Sequence, residues 1–168
     1  MFFITNSSVS TRSQHAQKIQ HRLGLDFCIE EASVLTAAAV TADYLADKLP
    51  AGSNVYVMGK EGIQKELQEK HFNVLVAPAE VTENIAAVVV GFDPTFSYAH
   101  LAMAMKIFAL NPECLFVGCN LDSSYVSESG FLQPGTGTLV TAVAYATQKT
   151  PVIMGKPNNL LYETLLAR

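Results

Sequence analysis

Short apolar runs recur along this chain, and most consecutive runs are separated by a segment long enough to form a helix. The most apolar run, residues 86–90, is followed by residues 97–110, which place Leu101, Met105 and Phe108 on one helical face. Parallel strands need a crossover of about a dozen residues, usually a helix. The alternation therefore predicts an α/β fold with mainly parallel strand pairing. The predicted strands are residues 2–4, 54–58, 74–77, 86–90, 114–119 and 152–154.

Composition excludes several classes of protein. Apolar residues make up 49% of the chain and charged residues 15%, which is typical of a globular protein with a large core. The net charge of −4 offers no basic surface for nucleic acid. No apolar stretch is long enough for a membrane span, and no signal-peptide pattern opens the chain. Cys28, Cys114 and Cys119 lack metal-site spacing, so we expect free thiols and a cytoplasmic location.

A lysine follows the last predicted strand. Residues 152–154 end at Gly155, Lys156 comes next, and residues 159–166 have helical spacing. Ligands bind at the carboxyl edge of open α/β sheets, and a lysine there suits a phosphate group. The alternative is a lysine that only ends the strand and extends into water.

A second group of polar residues follows the first predicted strand. Thr5, Asn6, Ser7 and Ser8 come directly after the apolar residues 2–4. Hydroxyl and amide groups at the end of a strand can donate hydrogen bonds to an anion. They can equally cap the next helix, predicted over residues 10–23, with Ser8 or Ser10 at its start.

Five short motifs occur in the order seen in one enzyme family. With them, the chain resembles the 4-nitrophenylphosphatase, phosphoglycolate phosphatase and pyridoxal phosphatase branch of the haloacid dehalogenase-like hydrolases. The resemblance implies a partial Rossmann-like core, residues 1–52 and 151–168, with an inserted α/β cap domain, residues 53–150. The motifs are FITNSS (3–8), VVVGFD (88–93), CNLD (119–122), PGTG (134–137) and GKPN (155–158).

The chain also departs from this family. Its members carry an Asp-x-Asp-Gly motif, which supplies the nucleophile and the general acid/base, and a later acidic motif that completes a magnesium site. No Asp-x-Asp occurs in this sequence. The resemblance therefore implies a phosphatase fragment, inactive by itself, whose family uses magnesium but whose Asp ligands are missing here. The alternative is a non-catalytic binding or interaction module derived from the cap.

The resemblance also implies roles for particular residues. Thr5 and Lys156 would be the catalytic residues, holding phosphate oxygens and orienting the nucleophile. No residue is assigned to a metal. Asn120 is equally well explained by a turn that its side chain stabilises. The predicted substrate-binding residues are Asn6, Ser7, Asn120, Asp122 and Tyr125.

Other polar residues receive structural interpretations. Asp93, which precedes a proline, suits turn or helix capping, and Arg12 suits a solvated helix face. The four histidines share no spacing and are read as surface or satisfied residues. The segment PGTG (134–137) lacks the lysine of a phosphate loop, so it indicates a tight turn and a helix start.

The binding partner and the assembly of the chain can also be predicted. The partner is a small phosphorylated metabolite, with no nucleic acid and no membrane. The chain is expected to form a homo-oligomer, supported by the strands near Val88 and Leu115. If the phosphate site forms, the strands that end at Thr5 and Lys156 should leave one edge of a single sheet.

Overall fold

The computed structural model describes residues 1–24, 26–80, 84–159 and 162–163. Its helices are α1 (Arg12–Leu23), α2 (Ala37–Lys48), α3 (Glu61–Glu69), α4 (Tyr98–Leu110) and α5 (Thr136–Thr147). Its strands are β1 (Phe3–Thr5), β2 (Val34–Thr36), β3 (Asn54–Met58), β4 (Asn73–Val76), β5 (Ala87–Val90), β6 (Leu115–Gly118), β7 (Ser124–Val126), β8 (Leu132–Pro134) and β9 (Val152–Ile153).

A parallel sheet of five strands organises most of the chain. Its order is β4-β3-β5-β6-β9, and every neighbouring pair is parallel. Because all strands run the same way, their carboxyl ends share one edge of the sheet. The α/β fold predicted from the alternating pattern is confirmed.

Alternate residues of the central strands feed two separate hydrophobic cores. Val55 and Val57 of β3 pack in a core that contains residues of α2 and α3. Tyr56 and Met58 point to the other face and pack with residues of α4 and α5. This follows from the two-residue period of a strand, which places successive side chains on opposite faces.

The beginning of the chain forms a smaller sheet. Strands β1 and β2 pair in parallel, and Leu35 of β2 is buried in the same core as Val55 and Val57. Helix α1 connects the two strands. Thr11 caps its start through a capping box with Gln14, and Gly24 ends it in the left-handed conformation, with φ 58°.

Several boundaries differ from the sequence predictions. Thr11 caps α1, so neither Ser8 nor Ser10 does. The alanine-rich segment 34–49 has strong helix propensity, but its first residues, 34–36, form β2 because they pair with β1. The loop after β6 contains an antiparallel hairpin, β7–β8.

One larger expectation is wrong. Thr5 ends a strand of the small sheet, whereas Lys156 follows β9 of the five-stranded sheet, so the two residues do not leave one sheet. Val88 lies fully buried on β5 between β3 and β6, and β6 with Leu115 is also an inner strand, so neither offers a sheet edge for assembly.

Strand β9 joins the two segments that the predicted division assigns to different domains. Strand β9 was expected to lie with the core segments, but it pairs with β6 of the predicted cap. The helix predicted over residues 159–166 lies largely outside the described residues. Among the described helices, none has both the length and the apolar character needed to cross a membrane.

Candidate functional site

A cleft of about 290 Å³ opens at the carboxyl edge of the five-stranded sheet, where the segment after β1 meets it. Six of the seven predicted site residues line this cleft, although they come from distant parts of the sequence. The lining residues are Thr5, Asn6, Ser7, Ser8, Val9, Phe92, Asn120, Asp122, Tyr125, Gly135 and Thr136.

Residues 5–9, here called the cleft loop, are ordered by their own hydroxyl groups. Thr5 Oγ1 accepts a hydrogen bond from the Ser7 N–H at 3.2 Å, and Ser7 Oγ accepts one from the Val9 N–H at 3.3 Å. Ser8 Oγ is buried and accepts from the Phe92 N–H at 3.1 Å. The loop therefore holds its polar groups in place before any ligand binds.

Lys156 is tied to this loop through its backbone. Asn6 Oδ1 accepts from the Lys156 N–H at 2.7 Å, and Asn6 Nδ2 donates to the Lys156 carbonyl at 3.2 Å. Lys156 itself does not line the cleft. Its side chain forms no ion pair with the described residues. Asn6 thus brings the lysine segment to the cleft loop although the two belong to different sheets.

A glycine permits this approach. A Cβ atom on Gly155 would lie 2.8 Å from both Asn120 Cβ and the Cys119 carbonyl oxygen, and 2.9 Å from Asn6 Oδ1. Real Cβ atoms do not approach other heavy atoms this closely. The glycine before Lys156 is therefore needed for the loops to meet.

The loop after β6 forms the opposite wall. Asn120 is buried, donates from Nδ2 to the Asn6 carbonyl at 2.8 Å, and accepts at Oδ1 from the Asp122 N–H at 3.0 Å. The Asp122 carboxylate accepts from Asn6 Nδ2 at 3.2 Å to each oxygen. Asn120 therefore makes the turn that was the alternative reading of its sequence position, while Asp122 faces the cleft.

The segment PGTG (134–137) supports the same wall, with Pro134 at the end of β8, Gly135 as the N-cap and Thr136 as the first residue of α5. The Gly137 N–H donates to the Asp122 carbonyl at 2.9 Å, and a Cβ on Gly135 would lie 2.1 Å from that carbonyl oxygen. The predicted helix start is confirmed.

Aromatic residues make the apolar side of the cleft. Tyr125 meets Phe92 edge to face, with ring centroids 5.3 Å apart, and Lys60 Nζ lies 5.6 Å from the Phe92 centroid. Sequence reasoning missed Phe92 and Lys60. Phe92 directly follows the apolar strand β5, which was a usable signal, whereas Lys60 approaches only through the fold.

Other predicted residues lie elsewhere or have different surroundings. Asp93 accepts from the Thr95 N–H at 2.8 Å, as expected for turn capping. His100 is buried, with Nδ1 3.2 Å from the Ser97 N–H and Nε2 3.3 Å from Asp93. Arg12 is not solvated as predicted, because its guanidinium contacts Glu66 at 2.9 Å.

The cleft residues do not fit a magnesium ion. Mg²⁺ requires octahedral oxygen ligands, usually one or two carboxylates with waters or phosphate oxygens. Among the described residues that line the cleft, Asp122 supplies the single carboxylate, and it already accepts from Asn6. Within the described ranges, no group of three or more His, Cys, Asp or Glu residues could hold a metal.

Comparisons with known proteins agree with this architecture. Residues 1–73 match the family model described as haloacid dehalogenase-like hydrolase. The chain is 35% identical to a glycerol-3-phosphate phosphatase of Gallus gallus over 96% of its own length and 55% of the relative. It is 33% identical to phosphoglycolate phosphatase 2 of Arabidopsis thaliana, over 99% of the chain and 60% of the relative.

The solved structures show the same relationship. A glycerol phosphate phosphatase of Mycobacterium tuberculosis, in complex with magnesium, superimposes with a TM-score of 0.83 at 29% identity. That match covers 99% of this chain and 48% of the other. The chain thus spans little more than half the length of the curated relatives described above.

Proposed function

We propose, from the chain's homology to the haloacid dehalogenase-like phosphatases, that its cleft binds the phosphate group of small phosphomonoesters. The observation that carries this proposal is the pair of hydrogen bonds between Asn6 and the Lys156 backbone. They bring a hydroxyl-rich loop and a lysine without an ion pair among the described residues to one edge of the sheet. Such an edge is where open α/β folds bind ligands.

The proposed roles follow from the chemistry of each group. Thr5 and Ser7 would donate hydrogen bonds to phosphate oxygens from their hydroxyl groups. Lys156 would offset the negative charge of the phosphate as a compact cation with three donors. Asn6 and Asn120, whose side chains contact each other's segments, would hold these donors in place more than they would touch substrate.

The other groups of the cleft favour a small substrate. The edge-to-face pair of Phe92 and Tyr125 offers an apolar wall to the organic part of the ester. A volume of about 290 Å³ is at the lower end of small-molecule sites. Relatives named for glycerol-3-phosphate and phosphoglycolate support a small phosphorylated metabolite as the ligand.

Hydrolysis needs more than these residues supply. Water must replace the alcohol on phosphorus, and in the family that the chain resembles a carboxylate first attacks phosphorus and expels the alkoxide. That step needs an ionised nucleophile, an acid for the leaving oxygen, and a divalent metal that offsets charge. The sequence contains no Asp-x-Asp, and the described cleft residues do not fit magnesium. We therefore propose that these 168 residues bind phosphomonoesters without turnover.

A non-catalytic interaction module is the second candidate. The observation that favours it is the five-stranded sheet, which buries a core on each face within the described residues. This candidate also predicts binding without turnover, but its ligand need not be a phosphate.

We further propose that the chain forms a homo-oligomer and is located in the cytoplasm. Cell fractionation tests the location.

Titration with inorganic phosphate and a turnover assay separate these candidates. Nuclear magnetic resonance of the ¹⁵N-labelled chain should show shifts at the amides of Ser7 and Lys156 as phosphate is added. Sulfate and acetate, as a divalent and a monovalent control anion, separate phosphate selectivity from simple charge attraction. No shift at these amides would exclude phosphate binding, and magnesium-dependent release of 4-nitrophenol by the pure chain would exclude binding without turnover.

A further inference from the structure

Helix α3 buries a carboxylate that the proposed function does not use. Glu66 has only 2% of its side chain exposed, and Arg12, at the start of α1, is its ion-pair partner. A buried ion pair is poor support for stability, because both charges lose water when they are buried. In some proteins such pairs instead select one arrangement of the chain.

The contacts of Glu66 fix both the backbone and the side chain of Arg12. Glu66 Oε1 accepts from the Arg12 backbone N–H at 3.1 Å and from Arg12 Nε at 3.2 Å. Glu66 Oε2 lies 2.9 Å from an Arg12 terminal nitrogen. The first N–H groups of a helix have no partner within the helix and attract a negative charge. Glu66 therefore holds the start of α1 against α3.

The first turn of α3 holds the cleft loop directly. The Gly62 N–H donates to the Val9 carbonyl at 3.0 Å, and the Ile63 N–H donates to the Ser8 carbonyl at 3.1 Å. A Cβ on Gly62 would lie 2.5 Å from the Val9 carbonyl carbon, so the two backbones are packed together. Helix α3 thus contacts the chain at Ser8, Val9 and Arg12.

Ser8 and Val9 belong to the cleft loop itself and line the cleft with Thr5, Asn6 and Ser7, and Arg12 lies three residues beyond that loop. We infer that Glu66, acting through Arg12, is a positioning residue that sets where the cleft loop lies against the edge of the five-stranded sheet. The pair touches no ligand. Its effect on phosphate binding rests on the proposed function, whereas its effect on the loop does not.

The test uses variants of the full 168-residue chain. Glu66→Gln keeps the shape but removes the buried counter-charge of Arg12 and leaves Arg12 with the exposed Glu69 as its ion-pair partner, so this variant can fail to fold. The double variant Arg12→Met, Glu66→Met replaces the pair with apolar side chains, a change that often preserves stability. Two controls alter charges nearby: Glu69→Gln removes the exposed partner of Arg12, and Glu61→Gln removes a surface pair with Lys65 on the same helix.

Hydrogen exchange provides a readout that does not depend on any ligand. In the double variant, the amides of Gly62 and Ile63 should exchange roughly tenfold faster, since the loop carbonyls that they contact would move more often. The amides of Val88 and Val89 in β5 should be unchanged. A purely structural role would instead raise exchange at all four positions, together with a lower melting temperature.

Phosphate titration gives the second readout. The dissociation constant for inorganic phosphate should rise roughly tenfold in the double variant, with wild-type affinity in both controls. Unchanged exchange at Gly62 and Ile63 in the folded double variant would overturn the inference. Absence of phosphate binding by the wild-type chain would instead overturn the proposed function, and the exchange rates would still decide the role of Glu66.

Discussion

The side chain of Asn6 forms two hydrogen bonds with the backbone of Lys156, a residue 150 positions away. The side-chain amide of Asn6 thereby accepts from the backbone N–H of Lys156 and donates to the backbone carbonyl of the same residue. It also donates to Asp122. A single side chain therefore joins the small sheet, the lysine segment and the wall of the cleft.

Asn6→Ala removes these contacts and should destabilise the fold. Each hydrogen bond contributes about 1 kcal/mol, so we expect the free energy of unfolding to fall by about 1–3 kcal/mol. Urea denaturation followed by circular dichroism measures the change. Gln17→Ala, an exposed substitution on α1, is the control. A cost no greater than that of the control would show that the tie does not stabilise the molecule.

Lys156→Met should separate binding from stability. The ammonium group forms no ion pair with the described residues, so its loss should change the free energy of unfolding by no more than about 0.5 kcal/mol. The affinity for phosphate should fall roughly tenfold or more, because hydrogen bonds to charged groups are the stronger ones. Lys65→Met, at a surface pair on α3, should bind phosphate like the wild type. Equal affinity in both variants would remove Lys156 from the site.

Gly135→Ala tests the wall of the cleft. The added Cβ would lie 2.1 Å from the Asp122 carbonyl oxygen, so the loop after β6 must move. We expect a loss of about 2–3 kcal/mol, as for other overpacked sites. Gly130→Ala is the matched control, because Gly130 has φ 81° but nothing within 4 Å of its added Cβ. The control should cost about 1 kcal/mol from backbone strain alone. Similar melting temperatures for the two variants would contradict the close approach.

The three thiols should differ in reactivity. Cys28 is exposed, whereas Cys114 and Cys119 are buried. Burial raises the pKa of Cys114 to about 12 and the pKa of Cys119 to about 11. Since the thiolate is the reactive form, a disulfide reagent at about pH 8 should modify Cys28 first and the others only after unfolding. Three thiols that react at one rate in the native chain would contradict this.

The same pKa values predict a loss of stability at high pH. Below the unfolded pKa of 9.0, Cys119 is protonated in both the folded and the unfolded state, and its ionisation has no effect. Between that value and about 11, the unfolded state releases its proton first, so stability falls as pH rises. Cys119→Ala should make this fall shallower in urea unfolding from pH 8 to 11, and an unchanged slope would exclude the thiol as a cause.

Self-association should depend on the β7–β8 hairpin. Val126, Phe131 and Leu132 are exposed there by 67%, 72% and 70%, which forms an apolar surface near the cleft. We expect sedimentation velocity to show an oligomer at micromolar concentration. Replacing Phe131 and Leu132 with serine should dissociate it, whereas Tyr98→Ser on α4 should not. A wild-type monomer under these conditions would exclude the proposed assembly.

The sequence by itself determined the class of fold and the position of most strands. Apolar runs such as residues 86–90 are too short for helices and too continuous for a strand with one wet face, so they predict buried parallel strands. Glycines and polar residues just after these runs predicted a ligand site at the carboxyl ends of the strands. The signal at Thr5 is local, because Thr5 directly follows an apolar run, whereas Asn120 and Asp122 were predicted through the resemblance to the phosphatase family.

Only the tertiary structure decided how these residues meet. The sequence of a short strand does not specify which strand it pairs with. The pairing of β9 with β6 and the separate sheet of β1 and β2 therefore could not be deduced from the sequence. Arg12 has the spacing of an exposed helix residue, and its ion pair with Glu66 forms because the fold brings the start of α1 to α3. Asn6 and Lys156 likewise come together because the partly buried amide of Asn6 finds hydrogen-bond partners there and Gly155 leaves room for them. This is a property of the packed chain and not of any local pattern.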